Sequence, residues 1–142
     1  PDLLAAATKR DIPVVYLPRG RGDETYAETY SNDAVYVPDG AINGLQLAWH
    51  ARCVLTGSGT MSREAACMEK PAVSFFPNTL LSVDQELVAD ERIYHSRNPE
   101  EIVAYIESLS EPDIAPDRER ARAVREEVID LTDSLIRSCC EQ

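Results

Sequence analysis

The sequence predicts an α/β domain of the Rossmann-like, three-layer α/β/α kind, with about five parallel strands and a long C-terminal helix. Three observations carry this reading. Short apolar runs recur at intervals of roughly 20 residues, each closed by Gly, Pro or Asn. Helical patterns fill the intervals between them. The runs are continuous rather than alternating, as expected of parallel strands buried on both faces by crossover helices. Right-handed crossovers then give a doubly wound sheet.

Residues 2–10 form the first helix, with Leu3, Leu4 and Ala7 on one side and Asp11 and Pro13 ending it. The run 12–17 is the first strand, closed by Pro18, Arg19 and Gly20. A polar stretch at 23–31 makes a short helix, and 34–37 is the second strand, stopped by Pro38, Asp39 and Gly40. A short helix at 43–51 carries Leu45, Leu47 and Trp49. The third strand, 53–56, runs straight into Gly57, Ser58 and Gly59 and a helix over 60–69. Strand four is 72–76, ended by Pro77 and Asn78; a helix over 80–89 leads to strand five at 92–95. Asn98, Pro99, Glu100 and Glu101 combine an N-cap, a proline at the first helical position and an acidic first turn. Ile102, Val103, Ile106 and Leu109 are that helix's apolar stripe. Pro112 and Pro116 mark a linker. Beyond it Ala121, Val124, Val128, Leu131 and Leu135, stepping by three and four, give a helix to about Arg137 that packs down. The domain is therefore residues 1–111, and 112–142 is a helix packed on it.

Composition narrows the functional classes. Hydrophobic residues at 44% and charged residues at 27% describe a globular chain. The balance of 14 basic against 25 acidic residues, net −11, repels phosphate backbones, so nucleic acid is not an expected partner. No apolar run reaches the ~18 residues a membrane span needs. Only Lys9 and Lys70 are lysines; high acidity with so little Lys is the pattern of a halophilic protein, an ordinary acidic cytosolic one being the alternative. Cys53, Cys67, Cys139 and Cys140 form no C-x-x-C pair, and with two His no metal site is expected. Cys53 and Cys67 read as small buried hydrophobes, and the set implies a reducing, cytoplasmic compartment. No cofactor is expected.

Ligands of such sheets bind beyond the carboxyl ends of the strands, and the richest loop there is Gly57, Ser58, Gly59 and Thr60. Two glycines let backbone approach a ligand, and the amides and dipole of the helix that follows favour an anion. The hydroxyls of Ser58 and Thr60 suit a phosphate or diphosphate. Glu64, about one turn beyond Thr60 on the same side, can accept bonds from sugar hydroxyls. The plainer alternative is a tight turn with Thr60 as N-cap and Glu64 solvated. Neither G-x-G-x-x-G nor G-x-x-x-x-G-K-[ST] is matched. Arg19, closing strand one, can meet a phosphate or pair with Asp23 or Glu24. Asp84 and His95 are weaker catalytic candidates, with a surface cap and a loop residue as their structural alternatives; a His near pKa ~6.5 can serve as acid or base. His50, beside Trp49, reads as structural. Arg63 points away from Glu64 and reads as an ion-pair partner.

The residues 57–66 (GSGTMSREAA), then 70–77 (KPAVSFFP) and 81–84 (LSVD), resemble the mostly archaeal domain-of-unknown-function family 354 (DUF354). Leu17, Pro18 and Arg19 after strand one, and Tyr94, His95 and Ser96 at strand five, extend the resemblance over roughly residues 3–107. That family is similar to the carboxyl-terminal halves of UDP-N-acetylglucosamine 2-epimerases and related GT-B glycosyltransferases. The resemblance implies that the amides of the Ser58 and Gly59 turn hold a UDP diphosphate and that Glu64 holds the ribose. Thr60 stands where the epimerases carry a second Gly, and Asp84 roughly where they carry acidic residues facing the sugar. It further implies that an amino-terminal domain and a first, central strand are missing, which would leave the strand order 2-1-3-4-5. A sheet open at that edge invites strand exchange or a homodimer.

Two functions follow as expectations. One is the UDP-sugar-binding half of a GT-B-like enzyme, epimerase or glycosyltransferase in type, inactive without the missing domain. The other is a non-catalytic α/β interaction or dimerisation module.

Overall fold

The computed structural model describes residues 2–30, 34–110 and 119–140. The element order is α1 (Asp2–Thr8), β1 (Val14–Val15), α2 (Arg21–Glu28), β2 (Val35–Tyr36), α3 (Gly44–His50), β3 (Val54–Thr56), α4 (Gly59–Cys67), β4 (Ala72–Ser74), α5 (Ser82–Ala89), β5 (Tyr94–His95), α6 (Pro99–Ser108) and α7 (Glu119–Cys140). Helices and strands alternate through β5, as the apolar runs predict, and the fold is mixed α/β with parallel strands throughout.

The strands are shorter than the apolar runs that announce them, for local reasons. Pro13 and Pro18 flank β1, and neither has an amide to donate to a ladder. At strand five, the amides of Arg92 and Ile93 donate to the Leu87 carbonyl at the end of α5, so pairing begins only at Tyr94.

The expected single sheet of order 2-1-3-4-5 is corrected to two parallel sheets. β1 pairs with β2, in register Val14 with Val35 and Val15 with Tyr36. β4 lies between β3 and β5, with Leu55 opposite Val73 and Ser74 opposite His95. No ladder joins β1 to β3 among the described residues. The amides of Val14 and Tyr16 donate to β2, and that of Val54 to the β4 side. Successive amides of a strand point to opposite edges, so the Val15 and Leu55 amides face the two unpaired edges.

The three-stranded sheet is covered on both faces. On one, Ala65 and Ala66 of α4, Ala72 and Ile93 are buried, with Val54, Leu87 and Val88 packed on them. On the other, Val73, Ile102 and Ile106 are buried beneath Leu3, Ile12, Cys53, Leu55, Tyr94 and Tyr105. Val54 and Ala72 thus face α4 and α5, while Leu55 and Val73 face α1 and α6, the period of two that a strand requires. Arg10 ties α1 to α6 through Glu100 at 2.7 Å and Glu107 at 2.6 Å, exposed pairs that add little to stability. The start of α6 is built as its sequence predicts: Asn98 accepts from the Glu100 amide at 3.0 Å, and Pro99 opens the helix.

Two expectations of burial fail. Cys67 is exposed, because it ends α4 on the side away from Ala65 and Ala66. More importantly, α7, expected to bury its apolar stripe, has no buried residue over its 22 residues. Its stripe has the right spacing for a buried face, yet Val124, Val128, Ile129, Leu131, Leu135 and Ile136 are all exposed. The expected linker at Pro112 and Pro116 lies outside the described residues.

Candidate functional site

The carboxyl ends of β3, β4 and β5 open onto one rim, and its loops are tied to each other. The Phe75 ring after β4 lies against Gly57 after β3: a Cβ on Gly57 would meet that ring at 3.0 Å. Arg97 after β5 donates to the Pro77 carbonyl at 3.3 Å. Across the helices, Arg63 of α4 makes a two-pronged pair with Asp84 of α5, Nε to Oδ1 at 2.7 Å and Nη2 to Oδ2 at 2.8 Å. That guanidinium lies over Gly59, where a Cβ would sit 2.9 Å from Nη2. Each glycine therefore makes room for a neighbouring side chain, and neither has a positive φ.

The amides of this turn divide into two groups. The Ser58 amide is capped internally by the Thr56 hydroxyl at 2.9 Å. The amides of Gly59, Thr60 and Met61 open the nine-residue α4, and no acceptor among the described residues takes them. The Ser58 side chain does not cap the helix, and the Ser62 hydroxyl turns back to the Ser58 and Gly59 carbonyls at 3.3 and 3.0 Å. What remains is three donors at the positive end of a helix dipole.

Glu64 is half-buried and makes no side-chain hydrogen bond or ion pair among the described residues. It borders an open groove of about 410 Å³ that starts at Thr60 and runs along α4 past Cys67 and Met68, with Leu45 of α3 as a wall. A larger concavity of about 650 Å³ is bounded by residues 42–50 alone, the outer side of one helix, where no second element brings polar groups to converge.

The remaining candidates are placed as follows. Asp84 is 7% exposed and serves as the partner of Arg63, whose hydrogen bonds hold its carboxyl below the usual carboxylate range. An acid held ionised in this way has no proton to give near neutrality. His95 sits in β5 with Nδ1 2.8 Å from the Ser74 carbonyl, so a proton on Nδ1 is anchored there and Nε2 is the basic nitrogen. Arg19 is exposed beyond β1; its amide donates to Asp23 Oδ2 at 3.1 Å, and no hydrogen bond or ion pair among the described residues ties it to the 57–60 turn. Arg63 forms an ion pair, as its position relative to Glu64 predicts. The residue that sequence reasoning passed over is Lys70: it is 5% exposed and sets its ammonium 5.5 Å from the centre of the Trp49 ring, bracing α3 against the end of α4. Its rarity, one of two lysines, was the available signal. Among the described residues no three His, Cys, Asp or Glu side chains converge as a metal cage would require. Among the described residues no helix is long and apolar enough to cross a membrane.

Fold and rim together define a parallel α/β domain with a glycine-flanked helix mouth at the carboxyl end of its strands. The chain belongs to the family described as "Protein of unknown function (DUF354)", whose profile it matches over residues 4–142. The match runs through α7, beyond the segment that carries the sequence resemblance. The chain is also similar to the uncharacterized protein MJ0665 of Methanocaldococcus jannaschii, with 34% identity over 108 residues, which is 75% of this chain and 31% of that relative. The chain thus spans about a third of the length of the curated relative it matches.

Proposed function

We propose that this chain is the nucleotide-sugar-binding half of a GT-B-like enzyme, of epimerase or glycosyltransferase type, with a UDP-sugar as ligand. The observation that carries the reading is the trio of amides at Gly59, Thr60 and Met61, which have no acceptor among the described residues at the mouth of α4. Donors fixed in direction and aligned with a helix dipole suit a diphosphate. The Ser58 amide is used by Thr56, so the anion subsite lies one residue further along than the epimerase resemblance implies. Thr60 adds its hydroxyl. Glu64, one turn on and without a side-chain partner among the described residues, accepts from the ribose. Arg63 supplies positive charge beside Gly59, and Asp84 holds that charge in place rather than moving a proton. His95 Nε2 is then the stronger acid–base candidate of the two.

The test is a calorimetric titration with UDP and UDP-N-acetylglucosamine at high salt. Saturable heat is expected, with affinity falling at least tenfold in Glu64→Ala. A folded protein that also contains the rest of the polypeptide and still gives no heat with either ligand rules the reading out.

A second reading, a non-catalytic interaction module, is favoured by one observation: α7 presents a full apolar stripe to the outside. A silent titration together with a stable complex through that helix is its signature.

A further inference from the structure

We infer that Lys70 is a positioning residue for the ligand groove: it holds the Trp49 ring, which fixes α3 and with it the Leu45 wall of the groove that Glu64 borders. The inference rests on the reading of Glu64 as the acceptor of the ribose hydroxyls. Lys70 is 5% exposed, and its ammonium makes no hydrogen bond or ion pair among the described residues. A charge taken out of water is costly unless something compensates it. The face of the Trp49 ring, 5.5 Å from Nζ, is the compensation that the described residues provide. A role at the end of α4 is already filled, because Arg92 donates to the Ala66 carbonyl there at 2.8 Å. An ammonium needed only for the helix dipole could also stay in water.

The groove of about 410 Å³ lies along the seam between α3 and α4. Near the start of both helices, Met61 Cε stands 3.8 Å from the place a Cβ on Gly44 would take. Near their ends, Lys70, three residues past α4, meets Trp49 of α3. On α4, Thr60, Glu64 and Cys67 step by four and three and share one face. On α3, Leu45 and Trp49 are four residues apart, one above the other on one side and about 6 Å apart along the axis. Leu45 is 48% exposed, so its own packing does little to hold it. The N-cap of α3 is internal: Asn43 accepts from the Leu45 and Gln46 amides, and shapes the helix without tying it to α4. Ala48 is the buried residue of α3, and a methyl group is a small anchor.

Release of the ring therefore frees one end of a seven-residue helix, and the Leu45 wall shifts with it. A ribose at Glu64 feels that shift. An anion on the amides of Gly59, Thr60 and Met61 does not, because those donors belong to α4 itself.

The test is a pair of calorimetric titrations, with UDP and with inorganic pyrophosphate, on wild-type protein, Lys70→Met and Lys70→Arg. Lys70→Met keeps the length of the side chain and removes the charge; its UDP affinity is expected to fall at least threefold while pyrophosphate binds as before. Lys70→Arg keeps a cation over the ring and should restore UDP binding. Trp49 is the chain's single tryptophan, so its emission should shift in Lys70→Met and return in Lys70→Arg. Leu45→Ala, at an exposed position, should show the same selective loss of UDP affinity and serves where Lys70→Met does not fold. UDP binding indifferent to both variants, or an equal fall for UDP and pyrophosphate, overturns the inference and leaves the nucleotide reading standing. Wild-type protein that binds no UDP fails the nucleotide reading itself, and the inference falls with it.

Discussion

Cys53 and Cys67 look alike in sequence, each a lone thiol in an apolar stretch, and the structure separates them. Cys53 packs against Val73, Ile102 and Ile106, and burial pushes its thiol up to about 12. Cys67, Cys139 and Cys140 are exposed. An aromatic disulfide reagent at pH 8 is therefore expected to titrate three thiols in the native protein and the fourth only after denaturation; a fourth rapid equivalent would contradict the burial. The sign of the pH effect follows. A thiol whose folded pKa is raised contributes stability below its unfolded value, near 9, and that contribution is lost as pH rises toward about 12. The thermal midpoint should fall over that window, and less steeply in Cys53→Ala. Asp84 teaches the same lesson: its sequence position marked it as an acid–base candidate, and only the packing of α5 on α4 reveals the Arg63 guanidinium that occupies it.

The helices were legible because their stop and start signals are local. Asn98 and Pro99 open α6 through bonds made within three residues, and the spacing of Ile102, Val103 and Ile106 names the buried face directly. Strand ends were less legible, since whether Arg92 joins a ladder depends on the Leu87 carbonyl reaching back to it. The ends of α1, α4 and α5 hold a feature that no pattern announces: Asp11, Glu69 and Glu91 lie in the left-handed region, at φ 51°, 56° and 57°. Glycine is the residue usually found at such a turn, and a side chain there costs about 1–2 kcal/mol. Glu91 is exposed, and its side chain makes no hydrogen bond or ion pair among the described residues. Glu91→Gly is thus expected to raise stability by about 0.5–1 kcal/mol once the greater freedom of glycine in the unfolded chain is subtracted. A urea titration should show a higher midpoint at unchanged slope.

The whole chain carries net −11, and its self-repulsion is long-ranged at low salt. Raising KCl from 0.1 to 1 M shortens the screening length from about 10 Å to about 3 Å. The thermal midpoint is expected to climb steadily over that range, and a flat response would remove the case for a salt-adapted surface. Residue pattern alone determined the α/β alternation, the parallel pairing, the buried faces of α1 and α6, and the G-S-G turn as the place to look for a ligand. These depend on neighbours within a few residues, or on apolar periodicity, which any sequence displays. Tertiary structure decided the rest, among the described residues: that no ladder joins β1 to β3, that Thr56 takes the Ser58 amide while three further amides find no acceptor, and that the stripe of α7 is exposed. An apolar stripe records that a surface must be covered, and carries no record of which partner covers it; that is settled only where the complementary surface lies in space.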